Sequence, residues 1–123
     1  MAAVMWVALG GAAGSAVRHL FNNGVTRLLG EGFPWGILAI NVVGCFAMGL
    51  LAAATLRGGN DTMRLFLATG FLGGFTTFSA FALDTMKLVQ GGQGSFAFAY
   101  VAGSVGLSLL AVFAGFAVLR AIA

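Results

Sequence analysis

Apolar residues fall into four long stretches, and short clusters of glycine, amide and charge separate them. The first stretch runs from Ala2 to about Leu20, with helix able to continue towards Leu29. The second runs from Pro34 to Leu56, the third from Leu65 to about Val89, and the fourth from Ser95 to Leu119. Each is close to the ~20 residues that cross about 30 Å of hydrocarbon as helix. The separators are Asn22 to Gly32, Arg57 to Asp61, and Gln90 to Gly94. Pro34 stands where a helix begins without losing a backbone bond, and Asp61 or Thr62 is placed to cap the third helix. The pattern predicts an all-α membrane protein, four transmembrane helices in one domain over residues 1–123, with no soluble domain.

The third stretch departs from a plain helix. Gly73 and Gly74 sit in its middle, each costing a helix about 1 kcal/mol against alanine. Thr76 and Thr77 follow, β-branched and able to compete for backbone carbonyls. Together they predict a break in the third helix at membrane depth. A break frees carbonyls and amides that lipid cannot satisfy, so protein, a cavity or an ion must meet them. The carbonyls of Gly73 and Thr76 could hold a cation; a kinked helix sealed by its neighbours is the alternative. Other glycines pair at four-residue spacing: Gly10 with Gly14, Gly11 with Ser15, Gly70 with Gly74. Such pairs let helix backbones touch where lipid supplies no hydrophobic drive, within one chain or between chains.

Composition agrees with a lipid setting. Of 123 residues, 60% are hydrophobic and 7% charged, against about 25% charged in soluble domains. The net charge of +3 is dispersed, with no basic block for nucleic acid. Cys45 is the one cysteine, has no intrachain partner, and reads as an inert small residue. The first stretch lacks the positive n-region of a signal peptide, so it reads as a retained helix. The basic residues divide evenly: Arg57, Arg64 and Arg120 on the side of the N-terminus, Arg18, Arg27 and Lys87 on the other. That balance gives the positive-inside rule nothing to act on. Both orientations are then open, and opposite copies can pair about a two-fold axis in the membrane plane.

Candidate chemistry is sparse and uncharged. Phe78 and Phe81 share a helical face, and phenyl rings offer positive edges to an anion; packing is the competing role. Asn41 lies inside the second stretch, where its amide either donates to an anion or ties helices together. Tyr100, Ser104 and Ser108 form a hydroxyl stripe on the fourth. Arg18 ends the first stretch, either snorkelling to the interface or drawing anions inward, and His19 beside it has no second ligand for a metal. No acidic residue and no lysine falls near the middle of any stretch. A proton-coupled exporter needs such a group, and no nucleophile with its base, nor a metal cluster, is visible for catalysis.

Assembled, these residues resemble the fluoride channel family, called Fluc or CrcB. Gly10-Gly11-Ala12-Ala13-Gly14-Ser15-Ala16-Val17-Arg18 is similar to the family's opening Gly-Gly-x-x-Gly-x-x-x-Arg. Pro34 to Gly44 resembles Pro-x-Gly-Thr-Leu-x-x-Asn-x-x-Gly, and Gly70 to Phe81 resembles Gly-Phe-x-Gly-Gly-x-Thr-Thr-Phe-Ser-Thr-Phe, the most specific signature. Tyr100 and Ser108 match more weakly. Two departures are Ile37 and Ala80, each where the family usually has threonine. The resemblance implies a dual-topology antiparallel homodimer in the inner (plasma) membrane, with two pores exporting fluoride passively. It implies that Phe78 and Phe81 line the pore with Asn41 near them, and that Ser79, Tyr100 and Ser108 form a polar track. Arg18 would sit in the vestibule, and the Gly73 and Thr76 carbonyls would hold a structural Na⁺. A small dual-topology multidrug exporter fits length and charge balance but lacks its membrane carboxylate in the first stretch.

Overall fold

A computed structural model describes residues 2–122, whose regular structure is all helical, with no strand among them. Helix α1 spans Ala2–Leu29, α2 Trp35–Thr55 and α3 Asp61–Arg64. A π-helical segment, Leu65–Leu72, carries α3 on into α4, Gly73–Phe75; α5, Phe78–Gln90, and α6, Gly94–Ile122, complete the chain. Three helical stretches are long and apolar enough to cross a membrane: Trp35–Thr55, Asp61–Gln90 and Gly94–Ile122. The 28-residue α1 has the length, but its glycines, Arg18, His19, Asn22 and Asn23 lower its hydropathy.

Helix ends follow local chemistry. Gly30, at φ +86°, stops α1 with its N–H on the Thr26 carbonyl at 2.8 Å, a left-handed cap that glycine adopts without a Cβ penalty. Gly92, at φ +76°, serves the same purpose after α5. The cap of α3 is Asn60, whose side-chain oxygen accepts from Thr62 N–H at 2.7 Å and Met63 N–H at 3.4 Å. The expected caps Asp61 and Thr62 lie inside the first turn instead. There Asp61 faces Arg64 at 3.8 Å and adds negative charge at the positive helix end.

Packing is backbone against backbone. A Cβ on Gly10 would collide with the Phe66 carbonyl, and one on Gly14 with that of Phe71. A Cβ on Gly74 would approach the Gly11 carbonyl to 2.6 Å. The spaced glycines of α1 and of the 65–75 segment therefore close one intrachain seam, along which the two run in parallel. Gly49 lies on Val112 and Gly115 on Phe46 in the same manner, so α2 and α6 also run side by side in the same direction. The hydrophobic core sits at the other end of that pair, where Ile37, Ile40, Phe75, Phe81, Leu88, Ala97 and Tyr100 are buried together. Trp6 stacks edge-on against Phe66 at 6.1 Å, and Arg57 donates to the Leu119 carbonyl at 3.4 Å. The start of α1 and Arg57, Arg64 and Arg120 thus gather at one end of the bundle.

Candidate functional site

The site is built around Thr76 and Thr77, both extended in an otherwise helical segment (Thr76 φ −81°, ψ 155°; Thr77 φ −151°, ψ 118°). Gly73 and Gly74 are themselves helical, so the interruption follows them instead of falling on them. The threonines make it. Thr76 keeps both its N–H and its hydroxyl on the Leu72 carbonyl at 2.9 Å, which closes the preceding turn. Thr77 starts the next helix, its hydroxyl accepting from Ala80 N–H at 3.1 Å and lying 3.4 Å from the Ser79 hydroxyl.

The freed backbone is met by Asn41 of α2. Its Oδ1 accepts from Thr77 N–H at 2.9 Å, and its Nδ2 donates to the Thr77 carbonyl at 3.1 Å. This two-point pairing imitates a strand contact and satisfies one extended residue completely. Both sequence-level roles of Asn41 coexist. One amide hydrogen ties the helices, and the second is left for another acceptor, since a primary amide donates twice. The Thr76 carbonyl is approached by Arg18 Nη1 and the Gly74 carbonyl by the Ser15 hydroxyl, both at 3.5 Å.

Two cavities flank Thr77. The first, about 240 Å³, is lined by Asn41, Cys45, Thr76, Thr77, Phe78, Phe81, Ser104, Val105 and Ser108. Its walls offer amide, hydroxyl, thiol and phenyl groups and no charge. The Ser104 and Ser108 hydroxyl oxygens are buried there without a hydrogen-bond partner. Buried hydroxyls nearly always have one, so these two are the unsatisfied polar groups of this wall. The Phe78 and Phe81 rings lie 5.6 Å apart. Phe81 is buried, whereas Phe78 is 78% exposed although it lines the cavity.

The second cavity, about 460 Å³, is lined by Ser15, Arg18, His19, Asn22, Ser79 and Ala80 among others. It is the polar, positively charged mouth. Thr77 belongs to both cavities and forms the partition between them. The expected site residues therefore separate. Asn41, Thr76, Phe78, Phe81 and Ser108 meet in the inner cavity, while Arg18 and Ser79 share the outer one. Tyr100 lines neither: fully buried, it stacks on Phe81 at 5.1 Å and donates to Asp84 at 3.2 Å. Gly73 is exposed on the outside of its helix. Sequence reading left Cys45 and Thr77 out of the site, and placed Ser104 in the hydroxyl stripe but not among the pore residues the resemblance implies. The four-residue spacings of Cys45 from Asn41 and of Ser104 from Ser108 put each pair on one helix face, which was the available signal.

Helices able to cross a membrane, with an uncharged cavity between them that carries a few hydrogen-bond donors, define a multi-pass membrane protein. The chain belongs to the family described as CrcB-like protein, Camphor Resistance (CrcB), whose profile matches residues 5–116. Among similar proteins is the fluoride-specific ion channel FluC of Rhizobium etli strain CFN 42, 51% identical over 124 residues and 99% of each chain. The protein of the same name from Paracoccus denitrificans strain Pd 1222 is 57% identical over 114 residues, 93% of this chain and 91% of that one. That from Rhizobium leguminosarum bv. trifolii strain WSM2304 is 50% identical over 125 residues, the full length of both. The family is one of ion channels and not of enzymes.

Proposed function

We propose that this protein is a fluoride-selective channel that lowers cytoplasmic fluoride by passive export across the inner membrane. The observation that carries the reading is the inner cavity, where hydrogen-bond donors converge with no charged group among the lining residues. Fluoride is small and strongly hydrated, so a selective route has to replace its water with protein donors while letting it leave again. The second Asn41 N–H, the free Ser104 and Ser108 hydroxyls and the edges of Phe78 and Phe81 are such donors. None carries the full positive charge that would trap the ion. Arg18 at the outer cavity raises the local anion concentration.

The working unit in this reading is an antiparallel homodimer with two pores, α1 being the fourth span of each copy. At about 1.5 Å per residue its 28 residues reach about 42 Å. The exposure of Phe78 at the cavity and of Gly73 on the outside of its helix favours a second copy as their cover. A structural Na⁺ at the dimer centre would take the Gly73 and Thr76 carbonyls. The residues fit it: the Thr77 N–H that a continuous helix would direct to Gly73 is held by Asn41. Thr76, extended, turns its carbonyl out of the helix. Arg18 uses one side of that carbonyl at 3.5 Å, and a carbonyl has two lone pairs. Bound there, the ion would neutralise carbonyl dipoles that lipid leaves unsatisfied. The multidrug-exporter reading is weaker, because the one carboxylate along the four stretches, Asp84, is engaged by Tyr100.

The rings give the direct test. Phe78→Ile and Phe81→Ile keep apolar bulk but remove the aromatic edge. Fluoride efflux from liposomes holding either variant should fall severely, while size-exclusion profiles stay those of the parent. Parent-like efflux in both variants would reduce the rings to packing and remove the pore assignment.

A further inference from the structure

Cys45, read from the sequence as inert, lines the inner cavity and is only partly buried. The two helices that carry this wall fix its place. One turn beyond Cys45, Gly49 is in backbone contact with Val112 and Phe116, and Gly115 with Phe46 and Leu50. That crossing leaves no room between α2 and α6. The cavity therefore ends at the level of Cys45 and Ser108, and a group attached to the Cys45 sulfur is kept from the α2–α6 seam and has the cavity beside it. A second observation marks the space as one that accepts a guest. Ser104, 4% exposed, lines the same cavity and carries a buried hydroxyl with no hydrogen-bond partner.

We infer that Cys45 is a modification site inside the inner cavity for small uncharged thiol-directed sulfur electrophiles, and that the resulting mixed disulfide plugs the cavity. With methyl methanethiosulfonate the Cys45 thiolate attacks the thiomethyl sulfur. A Cys45–S–S–CH₃ bond forms, the bond to the sulfonyl sulfur breaks, and methanesulfinate leaves with the electron pair. The thiol proton passes to water, the cysteine sulfur is oxidised and the sulfonyl sulfur is reduced. The added thiomethyl group lies against Asn41 and the serine hydroxyls, displacing whatever they hold. The plugging half of this inference rests on the cavity being the fluoride route; the modification half does not.

The test uses the full chain in liposomes, treated with methyl methanethiosulfonate near pH 8 and read two ways. Intact mass reports the adduct without ambiguity, because the chain has one cysteine. A fluoride electrode reports efflux. The expected result is one thiomethyl group per chain, efflux lost to the protein-free leak, and recovery with dithiothreitol. Cys45→Ser, whatever its own rate, should be insensitive to the reagent. Labelling that occurs only after denaturation would overturn the site. A full adduct with unaltered efflux, or equal inhibition of Cys45→Ser, would overturn the plug. Absence of efflux from untreated protein would instead reject the channel reading, with the mass still deciding whether Cys45 is modified.

Discussion

Asn41→Asp is expected to abolish fluoride efflux while leaving the chain assembled. The parent amide accepts from Thr77 N–H at 2.9 Å and donates to the Thr77 carbonyl at 3.1 Å. An aspartate keeps the first bond and turns an oxygen towards a carbonyl oxygen in place of the second. An unsatisfied buried acceptor costs about 1–3 kcal/mol, a tolerable loss for a domain whose seams are closed elsewhere by glycine contacts. The charge is the larger effect on transport. Two unit charges about 4 Å apart repel by about 4 kcal/mol at an effective dielectric of ~20. As a barrier this is about a thousandfold in rate. Raising pH deepens the block by favouring ionised aspartate. Efflux persisting at high pH, with size exclusion confirming assembly, would take Asn41 out of the route.

Orientation should be as easily shifted. Arg57, Arg64 and Arg120 collect at one end of the bundle and Arg18, Arg27 and Lys87 belong to the other half of the sequence pattern, three against three. Two lysines inserted between Gly58 and Gly59 should hold the N-terminal side in the cytoplasm, and two between Gly91 and Gly92 should hold it outside. Insertion is preferable to replacement, since Gly58, Gly59 and Gly92 have φ of +93°, +158° and +76°. If the unit needs one copy of each orientation, either variant alone should fail to protect cells lacking their own fluoride exporter. The two together should restore protection. A C-terminal reporter on the parent protein found on one side only would remove the antiparallel dimer. So would full protection by each variant alone, once its orientation was confirmed.

The extents of the helices were legible because turn chemistry and charge are confined to the separators. Trp35–Thr55 and Gly94–Ile122 lie within a few residues of the apolar stretches that predict them. Asn60 was missed as a cap because Asn60, Asp61 and Thr62 are all capable of the role, and only backbone geometry selects among them. The glycine pairs announced close contact but not the partner. Gly10 and Gly14 meet the 66–71 backbone, which no spacing within α1 reveals. Thr76 and Thr77 were singled out correctly as poor helix formers. The weight given to Gly73 and Gly74 was misplaced, for helical glycine is tolerated where a neighbouring backbone, here that of Gly11, comes close to Gly74.

The site was legible as a set of residues and not as an arrangement. The reciprocal pairing of Asn41 with Thr77 spans 36 positions and exists only once α2 lies beside the interrupted helix. The hydroxyl stripe of α6 was visible by period, yet Tyr100 turns to Asp84 and Phe81 while Ser104 and Ser108 face the cavity. Ser79, in the first turn of α5 and two residues after Thr77, opens to the side of Arg18. Cys45 was dismissed for want of a pairing partner, a criterion that ignores which face of α2 it shares with Asn41.

The measurement that bears most directly on the account is anion efflux from liposomes containing only this protein, with fluoride and chloride followed in parallel. A cavity whose polar groups are neutral donors, able to replace the water of a small anion, predicts rapid fluoride release with chloride retained. Comparable chloride release, or no fluoride release above protein-free vesicles, would contradict it.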